Sequence, residues 1–310
     1  MNFTQINAGA INSKPVNMHF GKRHVFKIVG LADVASSLND LSFKLEIPSP
    51  TSTNEDNKVV VAPWFNVASA GVDPELVGAS MVEIAIAEGA TLSEVHGALK
   101  AALELRNDIK LCYIENGALF VEVKFFGESI GATDVDSLFT FSEEVKGYGG
   151  FLGGTEGGAT VTPEISTEEV TTDQTGTNPI AEIINSTKFT VGTTIKELSP
   201  KRMELLFGNI VGEVFTPDSG SKIIGLGTSK VGSNSSLYTG ELILQPVSVD
   251  KDDYSQNIHF FNCAILPSSI NYGAEQLKTE VTFNVYVDSS KDKRANLGCF
   301  GDGFQDLRPL

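Results

Sequence analysis

A mainly β protein with an inserted α+β module is the fold class that three features of this 310-residue chain predict. Apolar side chains alternate with period two near both ends, a strand–helix–hairpin pattern occupies the middle, and the negative charge is concentrated in that middle. Residues 51–178 hold 21 Asp or Glu against 6 Lys or Arg, whereas the rest of the chain holds 18 against 17. Nearly all of the formal charge of −16 therefore belongs to one segment, which reads as a separate, solvent-facing unit. The expected organisation is a β core of residues 1–50 and 179–310, interrupted by the acidic module 51–178.

In the N-terminal part of the core, Val25, Lys27 and Val29 alternate with Phe26, Ile28 and Gly30. Leu41, Phe43, Leu45 and Ile47 then share one face of a second strand, which Pro48 and Pro50 end. The polar stretch from Ser49 to Lys58 reads as a linker. Within the module, Met81 to Ile86 form a strand closed by Gly89. Thr91 and Glu94 make a capping box, in which each side chain satisfies the other's backbone N–H. The helix that follows carries Val95, Ala98, Leu99, Ala102 and Leu103 on one stripe. Two strands, Leu111 to Ile114 and Leu119 to Phe126, flank Asn116-Gly117, a pair suited to a tight type I′ hairpin turn. Together these elements make a βαββ signature. Residues 127–160 are glycine-rich, and 156–178 have few large apolar side chains, so they read as a mobile connector.

β patterning resumes from Thr187 to Ile195. Ser199-Pro200 then starts a short helix, because Ser caps well and Pro tolerates the first helical position. Met203, Leu206, Phe207 and Ile210 share its apolar face. Three long alternating strands follow at 237–247, 258–266 and 279–288. The last carries Val281, Phe283, Val285 and Val287 on one face. The strands at 237–247 and 279–288 are expected to leave open edges in a monomer, which pairing with neighbouring copies would close.

No enzyme constellation emerges. The four histidines, His19, His24, His96 and His259, lie in different elements with no metal-binding spacing, and His96 reads as a surface residue of the helix. Cys112, Cys263 and Cys299 lack metal-ligand spacing and read as small buried hydrophobes. Gly225 to Lys230 contains two glycines of a phosphate loop without the rest, and reads as a flexible loop. Asp250 to Asp253 begins like a calcium loop, but Phe261 stands where the twelfth-position Glu belongs. Glu143-Glu144 and Glu168-Glu169 read as acidic surface. No cofactor, no metal and no catalytic residue is expected. The N-terminus lacks the basic and apolar regions of a secretory signal, and no apolar run is long enough to span a membrane. Synthesis in the cytoplasm and no membrane anchor are the corresponding expectations.

The segment Thr193 to Gly208, a strand running into Leu198-Ser199-Pro200 and a Leu-rich helix, resembles a recurrent segment of bacteriophage major tail tube proteins. Glu280 to Asp288, with Gly298 to Gly303 behind it, resembles that family's final strand and turn, and Pro267 fits as well. Val82 to Ala87, Gly89 to Thr91, Glu94-Val95, Ala101 to Leu103 and Phe151 to Gly157 resemble a small α/β decoration-like module found in phage tail tube and sheath proteins and in exposed insertions of flagellar proteins. The resemblance implies a tail-tube-like β-sandwich or barrel with one flanking helix. Six copies would form a ring, and rings would stack into a virion tube that conducts double-stranded DNA without sequence-specific binding. The partners implied are further copies and other tail proteins. Ser199, Met203, Leu206, Phe207, Val281, Phe283 and Val285 become candidates for packing in the core or between subunits. The acidic module is expected to project outward from a non-contractile tail. The alternatives are another tail structural protein (sheath, baseplate or terminator), a non-viral adhesin or injection-system tube, and a tail-associated hydrolase.

Overall fold

Alternation is visible at once in the first strand, whose apolar side chains turn inward every second residue. A computed structural model describes residues 16–30, 37–49, 57–127, 129, 132–134, 138–171, 179–196, 199–208, 212–217, 220, 223–234, 238–250, 253–271 and 278–309. The chain is mainly β and divides into two compact units. One comprises Phe20–Phe151 with Phe304–Asp306; the other comprises Met1–His19, of which 16–19 are described, with Leu152–Gly303 and Leu307–Leu310.

In the first unit, strand β1 (Val16–Gly30, its first four residues belonging to the other unit) buries Phe26 and Ile28. Strand β2 (Phe43–Pro48) buries Phe43, Leu45 and Ile47, the face that the sequence pattern marks. Strands β3 (Lys58–Val67) and β4 (Ala79–Ile86) are parallel, although no helix connects them. The intervening loop turns back through left-handed backbone at Ala68, Ser69 and Glu75. Helix α1 (Leu92–Glu104) is followed by β5 (Ile109–Glu115), β6 (Ala118–Phe126), β7 (Ala132–Asp134) and β8 (Phe139–Val145).

These strands form two sheets. One has the order β4-β3-β2-β7; in the other β1 lies between β6 and β8, with β5 beyond β6. The sheets meet through phenylalanines. Phe65 of β3 stacks on Phe139 of β8 at 5.4 Å between ring centres, and Phe43 of β2 lies 4.9 Å from Phe141. The expected βαββ signature is thus divided: its first strand, β4, lies in one sheet and its hairpin, β5–β6, in the other. Helix α1 packs against all three.

Local sequence signals are realised in this unit. Thr91 and Glu94 form both halves of the capping box, and the Glu94 carboxyl is held below its ordinary pKa, first by the Thr91 backbone N–H. Asn116 and Gly117 take φ of +50° and +75°, as a type I′ turn requires. His96 departs from expectation. It is buried beside Val95 and Leu99, with its ring 6.2 Å from that of Phe139. Arg23 is also buried. Its guanidinium lies over Phe126 and Phe304, and the Lys124 ammonium also lies over the Phe304 ring. These contacts explain why 304–306 belong to this unit.

The second unit starts from β9 (Tyr148–Val170, entering from the first unit) and β10 (Ala181–Lys196). Helix α2 (Pro200–Phe207), β11 (Gly212–Phe215), β12 (Ile223–Leu226), β13 (Thr239–Pro246), β14 (Ile258–Asn271), β15 (Lys278–Val285) and β16 (Gly298–Phe300) follow. The large antiparallel sheet runs β13-β14-β15-β10-β9, with β16 paired to β14; β1 pairs β9 and also β13. Strands β11 and β12 form a separate hairpin.

The stretch read as a mobile connector is therefore corrected over 156–170. It is strand, paired with β10 from Ala181↔Val170 to Ile195↔Thr155. Composition missed it because a two-stranded ladder satisfies its backbone groups without burying large side chains. Residues 172–178 lie outside the described residues, as do most of the linker at 49–58 and the helix-face residue Ile210. The units also have other ends than 51–178. Strands β1 and β2 pair with β6 and β3, and the ladder with β10 runs from Thr155 to Val170.

Residues 20–151 contain a continuous core, so this fragment is expected to unfold cooperatively on its own. A fragment 51–178 lacks β1 and β2 and is expected to show no cooperative melt; circular dichroism of both checks the boundary. Acid sensitivity is a second expectation. Burial lowers the pKa of His24 and of His96, and Gly147 donates its N–H to His24 Nδ1 at 3.3 Å. A histidine kept neutral by folding contributes stability that is complete above the unfolded value, about 6.5, and is lost as pH falls through the lower folded value. The melting temperature should fall from pH 6.5 downward, and His96→Gln should flatten that slope.

Candidate assembly surface

The helix singled out by the sequence begins as predicted. Ser199 caps α2, its Oγ accepting the Arg202 N–H at 3.3 Å, and Pro200 occupies the first turn. Leu206 and Phe207 are buried and Met203 is half-buried, with the helix packed against β14 and β11. On β15, Val281, Phe283 and Val285 are buried. Phe283 lies opposite Val191 of β10 and Ile265 of β14, and Val285 opposite Cys263. The structure thus brings the apolar candidates into the interior of one unit, where they hold β10, β14 and β15 together.

The edges expected at 237–247 and 279–288 are not found there. Strand β15 lies between β14 and β10, and β13 pairs both β14 and β1, so the chain itself covers them. Leu237 lies outside the described residues.

The exposed backbone lies elsewhere. Beyond Thr190, the last residue of β10 paired with β15, β9 and β10 continue as a two-stranded arm of residues 162–170 and 181–189. Among the described residues no third strand pairs with it. Nearly every side chain on it is exposed, including Ile165, Ile183 and Ile184 at 60%, 55% and 65%. Antiparallel register places Pro163 and Phe189 on one face, followed outward by Ile165 with Thr187 and Thr167 with Ile184. This row continues from Val161 and the fully buried Val191. The other face carries Glu164 with Lys188, and Glu168 with Ile183. A bulge between Ile184 and Ser186 twists the arm. Near the end of the ladder opposite the arm, Glu156 of β9 binds Lys278 of β15 at 2.8 Å and Lys196 of β10 at 3.1 Å, which holds its carboxyl below the ordinary range.

The residues weighed for chemistry are dispersed. Among the described residues no group of three or more His, Cys, Asp or Glu could hold a metal ion. The Gly225 segment is part of the β11–β12 hairpin, and the Lys230 ammonium lies over the Tyr238 ring. His259 is buried against Glu241, Nε2 to Oε2 2.6 Å. Cys112 and Cys263 are buried, and burial pushes both thiols up, Cys112 to about 12. Of the calcium-like loop, the Asp253 N–H donates to the Asp250 carbonyl at 3.0 Å, and 251–252 lie outside the described residues. No described helix is long and apolar enough to cross a membrane. No protein-family model matches this chain, and no curated protein matches it.

Truncating Phe207 to Ala should remove about 3–5 kcal/mol of stability, the usual cost of emptying a buried aromatic site. Chemical denaturation of the full chain measures it; an unchanged midpoint would place this side chain outside the core.

Proposed function

We propose that this chain is a structural, self-assembling protein, and specifically the major tail tube protein of a tailed bacteriophage. Six copies form a ring, and rings stack into a tube through which double-stranded DNA passes without sequence-specific contacts. The remaining partners are other tail proteins, and the site of action is the virion tail. The observation that carries the reading is the arm. A ribbon that no third strand pairs among the described residues, with an apolar row along one face, is a poor solution for a chain that stays alone, because such edges and faces invite pairing. The segment resemblance at Thr193 to Gly208 and Glu280 to Asp288 supplies the choice of assembly.

The large antiparallel sheet suits this role. Its central strands, β10, β14 and β15, are tied by side chains buried within one chain, leaving the arm for contacts between chains. Negative-stain electron microscopy and mass measurement of the purified protein are expected to show rings with a central hole, or tubes. A strictly monomeric protein at every concentration, also in the presence of tail-tip seeds, would contradict the reading.

A further inference from the structure

The arm has a chemistry that selects among partners. Residues 162–170 and 181–189 carry four glutamates, Glu164, Glu168, Glu169 and Glu182, against Lys188 alone. Nucleic acid and anionic lipid are therefore disfavoured as occupants. What fits is an apolar surface rimmed by positive charge.

The same unit displays such a surface. After β15 the chain turns through residues 286–297 into β16. Val287 and Phe300 are 56% and 64% exposed and lie along β14, Val287 accepting a hydrogen bond from Asn262 and Phe300 standing opposite Ile258. Lys293 and Arg294 are exposed on the turn, the Arg294 side chain at 82%, and Lys291 is half-buried with its ammonium over the Phe261 ring. Asp288 accepts from the Ser290 N–H and hydroxyl, and Asp292 forms an ion pair with Arg294 at 2.8 Å, so the turn carries three cations against two carboxylates.

We propose that the acidic arm of one copy docks its Ile165/Ile184 face on the basic β15–β16 turn of a second copy. The inference rests on the self-assembly proposed above and names the surfaces that make it. Two different patches meet, so the contact is heterologous. Each docked copy still offers an arm and a turn, and repetition closes a ring or extends a chain.

Charge reversal tests the contact in the full-length protein. An arm variant (Glu169→Lys, Glu182→Lys), whose two positions pair on the Ile165/Ile184 face, and a turn variant (Lys291→Glu, Lys293→Glu, Arg294→Glu) each set like charges against like. Each alone should raise the concentration for half-assembly roughly tenfold or more in sedimentation experiments. An equimolar mixture should reassemble, because each junction then pairs opposite charges. Assembly of either variant at the parent's concentration, or failure of the mixture, would overturn this contact while leaving self-assembly standing. A parent chain that never assembles overturns both. Should a multiple variant melt early, Glu169→Lys and Lys293→Glu carry the same mixing test.

Discussion

The antiparallel ladder between β9 and β10 is the constraint on which the second unit depends. It runs from Ile195↔Thr155, where Ile195 is fully buried, to Ala181↔Val170, where almost everything is exposed. Side chains in a ladder repeat every two residues, so the row that faces the interior at Val191 must emerge as a row on the same face of the arm. The apolar stripe of Pro163, Phe189, Ile165 and Ile184 is thus continuous with the core of the body. An isolated two-stranded ribbon is only marginally stable in water. The order of this one is inherited from the body of the sheet, where β10 pairs β15 from Thr190 to Lys196 and Glu156 joins β9 to Lys196 and Lys278 of two other strands. Its tip gains nothing from the directly opposed pair Glu169 and Glu182, which repel.

The first unit is held by a different device. Its two sheets are joined by the rings of Phe43, Phe65, Phe139 and Phe141, and α1 seals the layer with Val95, Leu99 and Leu103. Close backbone crossing adds a requirement that only glycine meets. Gly149 sits at φ +93°, and a Cβ there would collide with the Phe20 carbonyl and lie 2.6 Å from the Gly21 Cα. Gly149 is therefore a packing device within strand β9.

Signals confined to a few residues were legible in the sequence. The Thr91/Glu94 box, the Asn116-Gly117 turn and the Ser199-Pro200 helix start act through groups three or four residues apart, and all appear in the structure. Alternation likewise revealed the inward rows of β2 and β15. What pairing decides was not legible. No local pattern says that β4 joins β3 in parallel while β5 and β6 join β1, or that β15 lies between two strands instead of at an edge. His96 was misread because its burial depends on Phe139, 43 positions away in the numbering of the chain. The arm was missed because Thr, Glu and Ser dominate its strands, although Ile165, Ile183 and Ile184 stand among them. Its apolar row becomes visible only when the two strands are set in register.

The central claim is that the arm is ordered by its own chain and covered by another copy. Hydrogen exchange of the backbone amides in 162–170 and 181–189, compared between dilute protein and the assembled form, tests it most directly. The account predicts fast exchange along the outer edges and tip in the dilute protein and strong protection throughout the arm after assembly, while the β14–β15 amides stay protected in both states. Equal exchange of the arm in an assembled sample and in the dilute chain would contradict it.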